Sequence, residues 1–296
     1  MSLKQLFDVP APAKLNLFLH VTGRRDDGYH LIESVFVLID WADTLHIERR
    51  SDGALQRHDL GAALLADDLC LRAARALQSA AAVSFGADIS IDKQLPSGAG
   101  MGGGSSDAAT VLLALNRLWG LNWSRERLLP IAARLGADVP FFVFGRNALA
   151  QGIGEQLSAV GAPRRNYAVI KPAASIQTAG IFSSPDLKRD TPSAIIMGSL
   201  AGAALAGLEH GFGHNDLQPV AEGQCAEVAQ AARWLEKRFG NSRMTGSGSA
   251  VFARVGMGDA AIGLADSASD ADALPPGWVG RLCRGLPEHP LWAWAD

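Results

Sequence analysis

Directly after Pro96 the chain reads "SGAGMGGGSSDAATVLLALNRLW", residues 97–119. Five glycines are crowded between Pro96 and Ser105, and an apolar segment with helical spacing runs on from about 106 to 118. Glycine costs ordering entropy, and it is kept where the backbone must turn left-handed or approach another group closely. A glycine loop that runs into a helix N-terminus presents unpaired N–H groups and the positive end of the helix dipole to the same point in space, which is a site for an anion. The segment "ADISIDKQLP" before it alternates as a strand, closed by Pro96. The chain must therefore fold so that a strand, a tight loop and a helix meet at an anion.

Three kinds of phosphate loop can be compared with it. A Walker loop, G-x-x-x-x-G-K-[ST], needs a lysine before the hydroxyl residue, and here Gly104 runs straight into Ser105 and Ser106. The dinucleotide pattern G-x-G-x-x-G is met by Gly98, Gly100 and Gly103, but it requires a βαβ unit with an acidic residue about 20 residues on. Here the loop leads into a helix, then into "GLNWSRERLL", another helix start. The third reading keeps only the physics: main-chain amides of residues 98–106 wrap a polyphosphate, and Ser105 or Ser106 adds a hydroxyl. Glycines alone would also suit a linker, but this loop is pinned between two regular elements.

The rest of the chain limits the partners. Its 27 Lys and Arg against 30 Asp and Glu leave a net charge of −3, which argues against nucleic acid. The cysteines, Cys70, Cys225 and Cys283, are odd in number and far apart, so no disulfide framework is expected. His210 and His214 in "HGFGH" have glycines between them and do not make a metal site. The N-terminus lacks the apolar core of a signal peptide, and "TPSAIIMGSLAGAALAGL" is too short in its apolar part to span a bilayer. A cytoplasmic protein without membrane partners, a monomer or weak homodimer, is the expectation.

Period-two alternation predicts strands at 12–21, in "LIESVFVLIDW" and "TLHIERR", and in "FFVFG", "NALAQGIG" and "NYAVIKP". Helical spacing predicts helices over 66–82, over "SRERLLPIAARLG" with a bend or break at Pro130, from about 217 to 239, and over "GDAAIGLADSAS". "SRMTGSGSAVFARV" reads as strand, turn, strand, and "GWVGRLCRGL" as a last strand. Helices and strands mix without a strict βαβ beat, so the fold class is α+β, in two lobes.

Several polar residues stand out. Asp138 follows a helix stop and precedes an apolar run; taken alone, an aspartate capping a turn before Val139-Pro140 is the better reading. Lys14 and Asn16 share one side of a strand, where a solvated face is an equal reading. Tyr29 and His30 follow a turn and could stack on or hydrogen-bond a nucleobase, or simply lie on the surface. Lys93 ends the strand before the loop, and "TGSGS" (245–249) reads by itself as a hairpin turn.

Taken together, Pro96, Ser97, Gly98, Ala99, Gly100, Met101, Gly102, Gly103, Gly104, Ser105, Ser106 and the Asp-Ala-Ala directly after them closely resemble the ATP-binding motif of the GHMP kinases, the superfamily of galactose, homoserine, mevalonate and phosphomevalonate kinases. "PAKLNLFLHVTGRRDDGYH", "LGADVPFFVFG" and "RMTGSGSAVFA" resemble the branch acting on 4-diphosphocytidyl-2-C-methyl-D-erythritol in the non-mevalonate isoprenoid route. The likeness covers most of the N-terminal half and is patchier after about residue 185. It implies an N-terminal lobe like ribosomal protein S5 domain 2 (residues 1–160) and a ferredoxin-like C-terminal lobe (161–296). It also implies ATP as cosubstrate, with Mg²⁺ carried on its phosphates, and transfer to the 2-hydroxyl of that acceptor. By the same resemblance Lys14 and Asp138 are the catalytic pair. Tyr29, His30 and Phe182 line a cytidine pocket with Asn16 and Thr178 nearby. Lys93 lies on the adenine or ribose side, and Gly246 and Gly248 support the site. Asp68 departs from the family, which usually has asparagine there.

Overall fold

The computed structural model describes residues 3–61, 63–64, 66, 68–162, 165–196, 199–256 and 274–295. Its frame is a long antiparallel hairpin, β1 (Gln5–Arg24) and β2 (His30–Arg50). The two strands expected in the second arm are one, because Ala42, Asp43 and Thr44 keep pairing with Pro12, Ala11 and Pro10 beyond a register shift at Pro12/Ala13. After β3 (Leu55–Asp59) come α1 (Leu69–Ala81), β4 (Gly86–Asp92) and α2 (Gly103–Leu118). The last is buried from Ser106 through Asn116, as expected of a helix apolar on all sides.

Next is α3 (Arg125–Leu135), which runs through Pro130 as one helix. The carbonyl that Pro130 cannot bond belongs to Glu126, and both residues are exposed, so water can take the lost partner's place. "FFVFG", expected as a strand, is instead α4 (Val139–Phe144). Pro140 presets helical φ in its first turn, and Gly145 at φ 72° stops it by donating to the Phe141 carbonyl. A short, fully buried apolar run carries no period that distinguishes strand from helix.

The chain continues through β5 (Ala148–Gln151), β6 (Gln156–Ala159), β7 (Asn166–Lys171), α5 (Thr178–Ser183), the two-residue strands β8 (Ile195–Ile196) and β9 (Ser199–Leu200), and α6 (Gly202–Gly207). The helix expected from 217 is two, α7 (Gln218–Gln224) and α8 (Ala226–Phe239), parted where Cys225 turns extended. β10 (Arg243–Met244), β11 (Val251–Val255) and β12 (Val279–Leu286) complete the elements. The small-residue helix expected at 258–269 lies outside the described residues.

The α+β reading holds. A ten-stranded sheet runs β10-β11-β7-β12-β2-β4-β3, with β1 and β5 also on β2 and β6 on β5. One lobe packs α1, α2, α3 and α4 against β1, β2 and β4. The other packs α7 and α8 against β7, β10 and β11. β12 joins them, pairing with β7 along its length and with β2 through Gly285 and Leu286. The chain then re-enters the first lobe: Leu291 and Ala295 belong to its core, and the buried Arg125 donates to the Leu291 and Trp292 carbonyls. Among the described residues no helix is long and apolar enough to cross a membrane.

Candidate active site

The glycine loop touches both lobes. Its turns alternate through left-handed glycines, Gly98, Gly100 and Gly102, with φ of 63°, 72° and 72°. At Gly100 a Cβ would collide with the Thr245 carbonyl oxygen and lie 2.9 Å from the Gly248 amide nitrogen, while at Gly246 it would lie 2.6 Å from the Gly100 carbonyl oxygen. The two glycine segments therefore pack backbone against backbone, which reserves those positions for glycine. Ser249 and Ala250 donate to the carbonyls of Gly98 and Ala99, and Lys14 to that of Met101. "TGSGS" is thus the wall of the loop from the second lobe.

Residues from Pro96 to Ser105 line a cavity of about 550 Å³ together with Leu64, Asp68, Leu69, Arg72, Lys93 and Asp107. The two serines part company. Ser106 is buried and donates to the Pro12 carbonyl at 2.7 Å, so its hydroxyl holds β1. Ser105 faces the cavity and the one beside it.

That second cavity, about 360 Å³, holds Lys14, Asn16, Asp138, Thr178, Phe182 and Gly246 to Gly248. Lys14 Nζ lies 3.7 Å from Asp138 Oδ2, 2.7 Å from Asn16 Oδ1, and 4.7 Å from the Phe36 ring centre. Burial lowers the Lys14 pKa and Asp138 partly restores it. Asp138 sits at the N-cap of α4, yet its side chain caps nothing and is 35% exposed. The carboxylate is thus open to the cavity. Asn16 is 1% exposed and fully engaged: its Oδ1 also accepts from the Thr245 hydroxyl and the Gly246 amide, and its Nδ2 donates to Ser34. Its place is as a bracket that joins Lys14 to the second lobe.

A third cavity, about 570 Å³, is lined by Arg24, Asp27, Gly28, Tyr29, His30, Thr178 and Phe182 among others, and it shares Ile32, Ala137, Ile153, Thr178 and Phe182 with the second. The His30 and Phe182 rings lie 5.0 Å apart at 33°, and Tyr29 is 59% exposed on the rim. Burial and the cations Arg189 and Arg24 hold the His30 pKa below its usual 6.5.

Sequence reasoning places Lys93 on the adenine or ribose side. It lines the glycine-loop cavity, but its ammonium is committed to Asp43 and, at 2.6 Å, to Asp107. Burial opposes the Lys93 charge and the two carboxylates overcome it, so its pKa is raised. Burial, with Asp43 close by, pushes Asp107 up to about 7 against the pull of Lys93. Asp43 also accepts from the Gln94 and Leu95 amides at 2.6 and 2.7 Å, which anchors the strand end where the loop begins. Asp68 caps α1 through the Leu71 amide and pairs with Arg57 at 3.0 Å. Sequence reasoning gives no role to Asp43 and Arg189 and names Asp107 only within the quoted motif; the sole signal at Asp43 is a charged residue in a strand otherwise largely apolar. Among the described residues no cluster of three His, Cys, Asp or Glu could hold a metal ion.

Comparisons with known proteins show the family. The family profile "GHMP kinases N terminal domain" matches residues 68–146, and "GHMP kinases C terminal" matches residues 200–275. The chain is 62% identical over 296 residues, all of both chains, to the 4-diphosphocytidyl-2-C-methyl-D-erythritol kinase of Methylibium petroleiphilum. A crystal structure of 4-(cytidine 5'-diphospho)-2C-methyl-D-erythritol kinase superposes with a TM-score of 0.76 at 32% identity, covering 95% of this chain and 100% of that one. Homoserine kinase from Cytophaga hutchinsonii shares the fold alone, with a TM-score of 0.65 at 16% identity over 97% and 95% of the two chains.

Proposed function

The chain belongs to the GHMP kinase family, and on that premise we propose that it transfers the γ-phosphoryl group of ATP to the 2-hydroxyl of 4-diphosphocytidyl-2-C-methyl-D-erythritol, a step of the non-mevalonate isoprenoid route. The observation that carries this reading is the order of the three cavities. The Lys14–Asp138 pair lies in the middle one, which shares walls with the glycine-loop cavity on one side and the Tyr29–His30–Phe182 cavity on the other. A nucleoside triphosphate and a nucleotide-tagged alcohol entering from opposite sides would meet at that pair.

Phosphoryl transfer asks for placement and charge compensation more than for covalent chemistry. The amides of residues 98–104 and the N-terminus of α2 would hold the phosphates. Mg²⁺ carried on ATP would neutralise developing phosphate charge, and the Ser105 hydroxyl, which faces both cavities, is the side chain that would hold it. Asp138 accepts the proton of the attacking hydroxyl. Lys14, 3.7 Å from Asp138, turns an N–H toward the same oxygen. The hydroxyl oxygen bonds to phosphorus as the bond to ADP breaks, and the proton leaves with Asp138. Thr178 and Phe182 seat the acceptor, with Asn16 holding Lys14 in register. The lobe of residues 1–160, completed by the C-terminal return through Leu291 and Ala295, supplies the loop and the pair, and the chain from 161 onward supplies the facing wall, in a cytoplasmic enzyme that works as a monomer or weak homodimer.

The test is ADP release under Mg-ATP with this acceptor, with mevalonate and with homoserine. Turnover is expected with the cytidylyl acceptor alone. Asp138→Asn should cut kcat by about 10²–10⁴ with the KM for ATP little changed. Turnover of mevalonate or homoserine in preference would sink the substrate assignment.

A further inference from the structure

The guanidinium of Arg189 reaches across 159 residues of sequence to the ring of His30: Arg189 Nε donates to His30 Nε2 at 2.9 Å. Its other nitrogens are occupied by carbonyls, Nη1 by Leu187 at 2.9 Å and Nη2 by Phe182 at 3.0 Å and Ser184 at 2.8 Å. An arginine has five N–H donors and no acceptor. The imidazole nitrogen facing it must therefore present a lone pair, and a neutral ring of that kind carries its hydrogen on Nδ1. Adding a proton at Nε2 would set it against the guanidinium hydrogen and charge. The ring is held neutral for a second reason, since burial, Arg189 and Arg24 act in the same direction on it. Among the described residues nothing pairs with Nδ1.

We propose that Arg189 is a specificity-determining residue: it locks His30 as a hydrogen-bond donor at Nδ1 and so makes the pocket select cytosine over uracil. The inference rests on reading that cavity as the nucleobase site. The two pyrimidines differ on their pairing edge, where cytosine N3 offers a lone pair and uracil N3 carries hydrogen. A fixed N–H donor joins the first and faces the hydrogen of the second, leaving two donors unmatched. A free imidazole could exchange tautomers and accept either base; one held by a guanidinium cannot. The same guanidinium tethers the carbonyl of Phe182, whose ring stands 5.0 Å from His30, so one residue sets both the edge and the face of the pocket.

The experiment compares CDP and UDP binding by calorimetry in the wild-type chain and in Arg189→Met, alongside ¹⁵N NMR of the histidine rings in the free protein. The wild type should favour CDP by at least about tenfold, the usual cost of leaving a buried donor unmatched. In Arg189→Met that preference should fall to within about threefold, the size of one weak net hydrogen bond. The ratio is taken on a single preparation, so a partly unfolded variant does not distort it. The wild-type spectrum should show His30 protonated at Nδ1. Protonation at Nε2, equal affinities in the wild type, or an unchanged preference in Arg189→Met would each overturn the proposal. Absence of acceptor-dependent ADP release together with intact CDP selectivity would instead overturn the proposed function and leave this inference standing.

Discussion

The two ends of the proposed site, one for phosphates and one for a nucleobase, are built on opposite plans. The phosphate end is made of backbone: Gly100 and Gly246 touch main chain to main chain, and the polar side chains around them, Asp43, Lys93 and Ser106, are turned inward to hold the loop in shape. The nucleobase end is made of side chains on separate elements, with Tyr29 largely exposed and His30 and Phe182 held in place by Arg189. A backbone site grips what all nucleotides share, their phosphates, and it tolerates almost no change in shape. A side-chain site discriminates between bases and can be altered one group at a time.

The sharpest way to break the comparison is a single methyl group at each end. Gly100→Ala places a Cβ on a left-handed residue against the Thr245 carbonyl, and should destabilise the protein by about 3 kcal/mol in urea unfolding. Gly180→Ala, within α5 beside the nucleobase pocket, has its nearest neighbour 3.8 Å from the new Cβ and should leave stability unchanged or slightly raised. Equal losses would mean that the two ends are equally rigid. Next in size is Phe182→Ala. Removing one stacking face should raise the acceptor KM by about 10- to 100-fold and leave the KM for ATP alone; a matching rise in the KM for ATP would show that the ends are coupled through the middle cavity.

The contrast also explains what can be read in the sequence. A backbone cradle needs contiguous residues, so the loop, α2 and the strand before it are legible from glycine spacing and helical period. The period-two pattern of β1 is equally plain, although it cannot show that β2 runs unbroken past Trp41. α4 reads wrongly as a strand because Phe141, Phe142 and Val143 are all buried and leave no polar face to set a period. The side-chain end depends on partners 159 residues apart, as Arg189 and His30 are, and no local pattern marks such a pair. For Lys14 and Asp138 local chemistry points to plainer roles. Resemblance raises them, and their 3.7 Å approach supports that assignment.

A smaller effect separates two neighbouring serines. Ser106→Ala leaves the buried Pro12 carbonyl without its donor and should cost about 1–3 kcal/mol of stability. Ser105→Ala should leave unfolding within about 0.5 kcal/mol of wild type, because among the described residues its hydroxyl has no hydrogen-bond partner. Its expected effect is a higher KM for Mg-ATP. If Ser105→Ala unfolds more readily than Ser106→Ala, the division of labour between them is wrong.

The smallest effect expected is in pH. At the phosphate end burial lifts the Asp107 pKa from 3.8 to about 7. The folded state then holds a proton that the unfolded state has released, so the stability this group contributes is full below pH 3.8 and is lost as pH rises through 7. At the nucleobase end the shift is opposite in sense: His30 is held below 6.5, and stability there is lost as pH falls through 6.5. Asp107→Asn substitutes a neutral amide of the same shape for the protonated acid, with Lys93 still paired to Asp43 and with Cys70 as a further titratable neighbour. Near pH 4 the variant and the wild type should melt within a few degrees of each other. From pH 4 to 7 the variant should gain steadily on the wild type and then hold that gain, because only the wild type keeps a proton in the folded state that its unfolded state has released. A Tm difference that stays flat across the range would mean that Asp107 is already ionised at pH 5, and that the charge of Lys93 outweighs both burial and Asp43.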